Sequence, residues 1–219
     1  MNWLKTKNLI GMPDGNYRSI AGYAAESFVV GRAMICGYVI FVKAWRDSKY
    51  DAVLDANGSL YRVEIKGTGQ FKEFSTTSGD RSGRQIVKTK GSSKTKPLSV
   101  IDCDWLIGST SMDSTCWVIP VEIIDVLQTN KLTIRQLDIF KEKWHIFLSI
   151  DPNIKPYLKD GYRSQPLGVL QTIARHIGVD FATLALPFKF KNGTKKYSLS
   201  QKDRLVIAIW EKIFTDIIV

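Results

Sequence analysis

Asp51, Glu64 and Lys66 lie on either side of an Asn57-Gly58 pair, in the stretch Tyr50-Asp51-Ala52-Val53-Leu54-Asp55-Ala56-Asn57-Gly58-Ser59-Leu60-Tyr61-Arg62-Val63-Glu64-Ile65-Lys66. Two carboxylates and a lysine on one surface could hold a divalent metal and hydrolyse a phosphodiester, provided that the chain folds them together. Asn-Gly is the preferred centre of a two-residue type I′ hairpin, because both residues need positive φ. With those two residues as the whole loop, Ala56 pairs with Ser59 and, counting outward, Asp51 faces Glu64. Directly opposed side chains share a face, with Cβ atoms roughly 4.5–5.5 Å apart. Lys66 joins them by the period-2 alternation of a strand. Opposed like charges destabilise a hairpin, so the pair calls for a cation: Lys66 in part, a metal for the rest. A longer loop would move Asp51 off Glu64 unless a bulge restored the pairing.

Phosphodiester hydrolysis needs an activated water, neutralisation of charge at phosphorus, and stabilisation of the leaving oxygen. Mg²⁺ held by one or two carboxylates, and keeping several waters, can meet all three needs. Asp51 and Glu64 are the candidate ligands, together with the Ile65 backbone carbonyl between Glu64 and Lys66. Lys66 would position the water or stabilise the transition state. A third carboxylate, Glu26, stands on an otherwise apolar helix, where an unpaired charge is costly and asks for a polar or metal partner. Asp47 and Asp55 are nearby rivals, but Asp55 falls beside the turn opposite Leu60 and reads as solvated.

The elements that must position these groups follow from local pattern. Ser19 is a candidate N-cap for a helix running to about Cys36, with Gly37 as its stop. Ala21, Ala24, Ala25, Phe28, Val29, Val30, Ala33, Met34 and Ile35 make it apolar almost all round, as in a helix buried on most sides. Strands are expected at Tyr38–Trp45, near 50–55 and 60–66, at Trp105–Ile107 and at Cys116–Ile119. A short helix from Pro120 to about Gln128 follows. Thr133 could cap another, through Arg135, Leu137, Ile139 and Phe140, and Trp144–Ile150 has strand character. From about Pro156 the pattern becomes helical, with segments at 166–177, 180–186 and 200–217. The expected organisation is a core over 1–155 and a helical C-terminal lobe over 156–219.

In this order the chain resembles the PD-(D/E)XK nuclease superfamily, over about Ser19 to Gln128. The matching pieces are Gly22-Tyr23-Ala24-Ala25-Glu26, Arg46-Asp47-Ser48-Lys49-Tyr50-Asp51, Tyr61-Arg62-Val63-Glu64-Ile65-Lys66-Gly67-Thr68, and Asp104-Trp105-Leu106 leading to Trp117-Val118-Ile119-Pro120-Val121. The resemblance implies an α/β (α+β) core, a central mixed sheet flanked by helices. It implies Asp51 and Glu64 as metal ligands, Lys66 as catalytic lysine and Glu26 as auxiliary carboxylate, with Mg²⁺ as cofactor and Mn²⁺ able to substitute. The order is most similar to the branch of intron-type homing nucleases, Holliday-junction resolvases and several restriction enzymes. The proline usual before the first acidic residue is Tyr50 here.

The 31 Lys and Arg residues exceed the 21 Asp and Glu, for a net charge of +10, which suits a polyanionic partner. Arg81, Arg84, Lys88, Lys90, Lys94 and Lys96 follow the hairpin with no acid among them, and Lys189, Lys191, Lys195 and Lys196 form a second basic cluster. Both are candidate phosphate contacts for DNA. Ile173-Ala174-Arg175-His176-Ile177-Gly178-Val179, with Phe181 and Leu184, has helix-turn-helix spacing. An ordinary packed helical hairpin fits it as well, and Pro187 would cut the second helix short. His145 and His176 lack metal-ligand spacing, and Cys36, Cys103 and Cys116 read as reduced thiols. No signal peptide or membrane span is expected, so the reading is a cytoplasmic, nucleoid-associated protein. Taken together, a Mg²⁺-dependent restriction-type DNA endonuclease working as a homodimer is expected. Homing or junction-resolving enzymes, an RNA nuclease, and a non-catalytic DNA-binding protein are the alternatives.

Overall fold

The computed structural model describes residues 14–43, 48–68, 72–78, 96–110, 113–151, 153–179 and 199–216. Its centre is a five-stranded mixed sheet in the order β1-β2-β3-β7-β8. The strands are β1 (Val39–Val42), β2 (Ala52–Ala56), β3 (Ser59–Thr68), β7 (Trp105–Thr110) and β8 (Cys116–Pro120). Only β3 and β7 run parallel; β1–β2, β2–β3 and β7–β8 are antiparallel. Two small antiparallel pairs, β4 (Glu73–Ser75) with β9 (Lys131–Thr133) and β5 (Thr77–Ser78) with β6 (Lys96–Pro97), complete the strands among the described residues. The α+β class expected from the sequence, a mixed sheet with flanking helices, is the one observed.

Helix α1 (Asp14–Ile35) starts earlier than expected. Ser19 therefore lies inside it and not at its cap. The stop is where Gly37 was expected: its φ is +86°, and Tyr38 N–H reaches back to Ala33 O at 3.0 Å. The helix is not buried on most sides. Ala25, Val29 and Ala33 form one buried stripe at four-residue spacing, while Tyr23, Met34 and Ile35 face solvent. Its C-terminal end is tied to the sheet through Arg32, which donates to Glu142 Oε2 at 2.9 Å. Glu142 Oε1 in turn accepts the Cys116 N–H at 2.7 Å.

On one face of the sheet, Tyr61 and Trp105 pack against Phe147 at 5.4 and 5.0 Å between ring centroids, and Trp105 meets Trp210 edge-on at 5.4 Å. Trp210 and Phe214 belong to α6 (Gln201–Asp216), and Phe214 stacks edge-on with Phe140 at 4.7 Å. Chain on both sides of residue 155 thus contributes to a single apolar cluster. Helix α5 (Leu167–His176) lies against α6 with Leu170, Ile173 and Ala174 buried. Gly178 does turn the chain, with φ +73° and Val179 N–H bonded to Ala174 O, but the expected helix at 180–186 lies outside the described residues.

Two local expectations fail for the same reason: apolar spacing shows burial more reliably than conformation. After Thr133 the chain forms two 3₁₀ turns, Ile134–Gln136 and Asp138–Phe140, in place of a continuous helix. The Trp144–Ile150 patch contains a helical turn, α3 (Ile146–Ser149), where a strand was expected. Helices α2 (Val121–Leu127) and α4 (Lys155–Asp160) and a 3₁₀ turn at Tyr162–Ser164 are the remaining elements among the described residues.

Gly108, in the middle of β7, sits under Phe74. A Cβ there would lie 2.6 Å from the Phe74 ring, which is itself fully buried. Gly108→Ala is expected to lower stability by about 1–3 kcal/mol, the usual cost of overpacking a closed core. Urea denaturation checks this, and an unchanged midpoint would show that Phe74 can yield.

Candidate active site

The hairpin has the register the sequence implied. Asn57 and Gly58 take φ of +53° and +81°, Asp55 Oδ1 accepts the Gly58 N–H at 2.7 Å, and Ala56 pairs with Ser59. The ladder continues to Ala52 opposite Val63, where β2 ends. Asp51 therefore stands at the point where β2 leaves β3. Its N–H still donates to Val63 O at 2.8 Å, but the next rung is made by its side chain, with Asp51 Oδ2 accepting the Ile65 N–H at 2.8 Å. The carboxylate is thus turned into the gap between the strands and held there by backbone. Along a strand the N–H and C=O of one residue point to the same edge. The Ile65 carbonyl consequently faces the gap that Asp51 enters.

Around that gap the charges are closely matched. Glu64 Oε1 is paired with Lys66 Nζ, and Asp51 Oδ1 with Lys43 Nζ. Both acids are buried, at 9% and 7% exposure for Asp51 and Glu64. Burial pushes the Glu64 carboxyl up to about 7; the Lys66 ammonium opposes that rise and the Asp51 charge adds to it. Glu26 is half-buried beside them. Its carboxyl is raised by burial and by Asp51, while Lys43 and Lys66 pull it down. Burial works against the Lys43 ammonium, but its bond to Asp51, helped by Glu64 and Glu26, raises it on balance.

Glu26 reaches this site because α1 comes unusually close to β3. A Cβ on Gly67 would lie 2.4 Å from the Ala25 Cβ, so only glycine allows the approach that sets down Glu26, the next residue. Gly67→Ala is expected to cost about 1–3 kcal/mol by urea denaturation. Gly22→Ala, on the same helix with nothing within 4 Å of its added Cβ, should be neutral or stabilising by up to about 1 kcal/mol. Equal effects from the two would remove the close approach as the cause.

Asp51, Glu64, Lys66 and Glu26 are therefore brought together. Lys96 is exposed at the start of β6, opposite Ser78. Arg81, Arg84, Lys88, Lys90, Lys94, Lys189, Lys191, Lys195, Lys196 and the rival Asp47 lie outside the described residues. His176 pairs with Asp151 at 2.8 Å on the surface. The residue that sequence reasoning missed is Lys43. Its N–H donates to the Asp51 carbonyl at 3.0 Å, extending the β1–β2 register one step past Val42–Ala52. The only advance signal was that register, and with nine residues between Val42 and Ala52 it could not be counted out from a two-residue turn.

Among the described residues, no group of three or more His, Cys, Asp or Glu side chains is placed to hold a metal ion. The donor set that fits one is smaller: the Asp51 and Glu64 carboxylates with the Ile65 carbonyl. These are hard oxygen donors, of the kind that Mg²⁺ takes while keeping several of its waters. Also among the described residues, no helix is long and apolar enough to cross a membrane.

No family model matches the chain, and no curated protein is similar to it in sequence. Among solved structures it is similar to a bacterial homing endonuclease, I-Ssp6803I, at 17% identity and a TM-score of 0.48. The match covers 59% of this chain and 92% of that one. A likeness at that level carries no weight for the chemistry, which rests on the geometry of the gap between β2 and β3.

Proposed function

We propose that the chain is a Mg²⁺-dependent endonuclease of the PD-(D/E)XK kind that hydrolyses phosphodiester bonds in double-stranded DNA. One observation carries this: Asp51, Glu64, the Ile65 carbonyl, Lys66 and Glu26 meet where β2 parts from β3. Asp51, Glu64 and the Ile65 carbonyl would hold the metal, which supplies Lewis-acid neutralisation of the phosphate and an acidified water. Asp51 is kept in place by the Ile65 N–H, so its orientation is set before any ligand arrives. Lys66 carries an ammonium beside Glu64, where it can orient a water for attack or stabilise charge on the phosphate oxygens. Glu26 adds a half-buried carboxylate able to accept a proton from that water. The +10 net charge of the chain favours a polyanionic substrate. Within this class we favour a restriction-type homodimer, because cutting both strands takes two sites and a two-fold pair supplies them.

Incubation with Mg²⁺ on supercoiled plasmid, a four-way junction, single-stranded DNA and RNA in parallel tests the reading. Discrete plasmid fragments are expected, abolished by EDTA and restored by Mg²⁺ or Mn²⁺. Selective cutting of the junction would replace restriction with junction resolution. No cleavage of any substrate with either metal would overturn the proposal and leave a DNA-binding role as the alternative.

A further inference from the structure

Asp51 has both carboxylate oxygens engaged. Oδ2 takes the Ile65 N–H, and Oδ1 is ion-paired with Lys43. The lysine is held there by more than its charge: its backbone N–H bonds the Asp51 carbonyl, so it stands directly across from Asp51 at the mouth of β2. Its side chain is 26% exposed and lies over an acid that is nearly closed from water. A buried carboxylate next to two others needs a counter-charge. Lys66 supplies one to Glu64, and Lys43 supplies the other to Asp51. A divalent ion on Asp51 Oδ1 would have to take the place of the Lys43 ammonium, because two cations on one oxygen repel strongly at that range.

We propose that Lys43 is a built-in counter-cation of Asp51 that a divalent ion must displace, so that this lysine sets how tightly the site takes up its metal. The inference rests on the metal-dependent reading above. It makes Lys43 a positioning residue: its ion pair holds the Asp51 carboxylate in place and opposes metal entry. Lys66 offers no equally clean test, since its removal would alter the proposed chemistry as well as the binding.

Calorimetric titration of the full chain with Mg²⁺ and with Mn²⁺, without DNA, reads this directly. Lys43→Met is expected to bind either ion about tenfold more tightly than the native protein, because one competing positive charge is gone. Lys43→Arg should stay near the native affinity, and Asp51→Asn should lose binding. Equal or weaker binding by Lys43→Met overturns the proposal and leaves Lys43 as a brace for Asp51. Native-like binding by Asp51→Asn instead overturns the metal site itself, and the proposed function with it. Should Lys43→Met fail to fold, the native protein still answers. Saturating Mg²⁺ should raise the acetylation rate of Lys43 severalfold by mass spectrometry, and an unchanged rate overturns the proposal.

Discussion

Alanine at Asp51 or Glu64 is expected to lower Mg²⁺-dependent DNA cleavage by about 10³-fold or more, a loss of about 4 kcal/mol in transition-state stabilisation. DNA affinity in the absence of cleavage should stay within a few-fold, or rise, because each change removes a negative charge from a protein with +10 overall. The two acids act on one metal, so the double variant should be little worse than either single one. Asp51→Asn separates chemistry from folding. Its side-chain oxygen can still accept the Ile65 N–H that Asp51 accepts at 2.8 Å, so the hairpin mouth should stay closed while the charge is lost. Plasmid cleavage and gel-shift titration on the same preparations check both halves. Full cleavage by the Asp51→Ala, Glu64→Ala double variant would sink the site.

How much of this site the sequence disclosed depends on which contacts are local. Asn57 and Gly58 determine the hairpin register by backbone conformation alone, so the Asp51–Glu64 relation could be counted from a two-residue turn. Lys66 followed from strand alternation. What could not be counted was the bend of Asp51 toward Ile65, because that depends on where β2 ends, and edge residues of a strand are poorly specified by pattern. Lys43 was hidden for a related reason. Its place opposite Asp51 depends on the β1–β2 register, and the nine residues between Val42 and Ala52 are too many to count that register out from the sequence. Glu26 was visible as an isolated charge, whereas the Gly67–Ala25 approach that delivers it is a contact between distant parts of the chain.

The C-terminal helices show the limit from the other side. A change to helical pattern near Pro156 was legible, and α5 and α6 fall close to their expected spans. Apolar periodicity, however, says that a helix buries a face without saying against what. The rings of Trp210 and Phe214 meet Trp105 and Phe140, more than sixty residues earlier in the chain, and nothing local to α6 names those partners.

A buried acid outside the candidate site gives the largest expected effect on stability. Glu122, in the first turn of α2, is 3% exposed. Burial pushes its carboxyl up to about 8 from the ordinary 4.5; the charges of Asp104 and Asp125 add to the rise, while its own backbone N–H and Arg62 oppose it. Above pH 4.5 the unfolded chain gives up this proton while the folded protein keeps it to about pH 8. The folded state then binds more protons than the unfolded one, and stability falls as pH rises through that window. The interval converts to at most about 5 kcal/mol, fully present below pH 4.5 and lost above pH 8. Glu122→Gln keeps the shape of the protonated acid and cannot ionise. It should match the native protein in urea denaturation at pH 4.5 and exceed it increasingly at pH 7 and pH 9. Parallel stability curves for the two proteins across that range would mean that Glu122 ionises at its ordinary pH, and that water or Arg62 reaches it in the folded state.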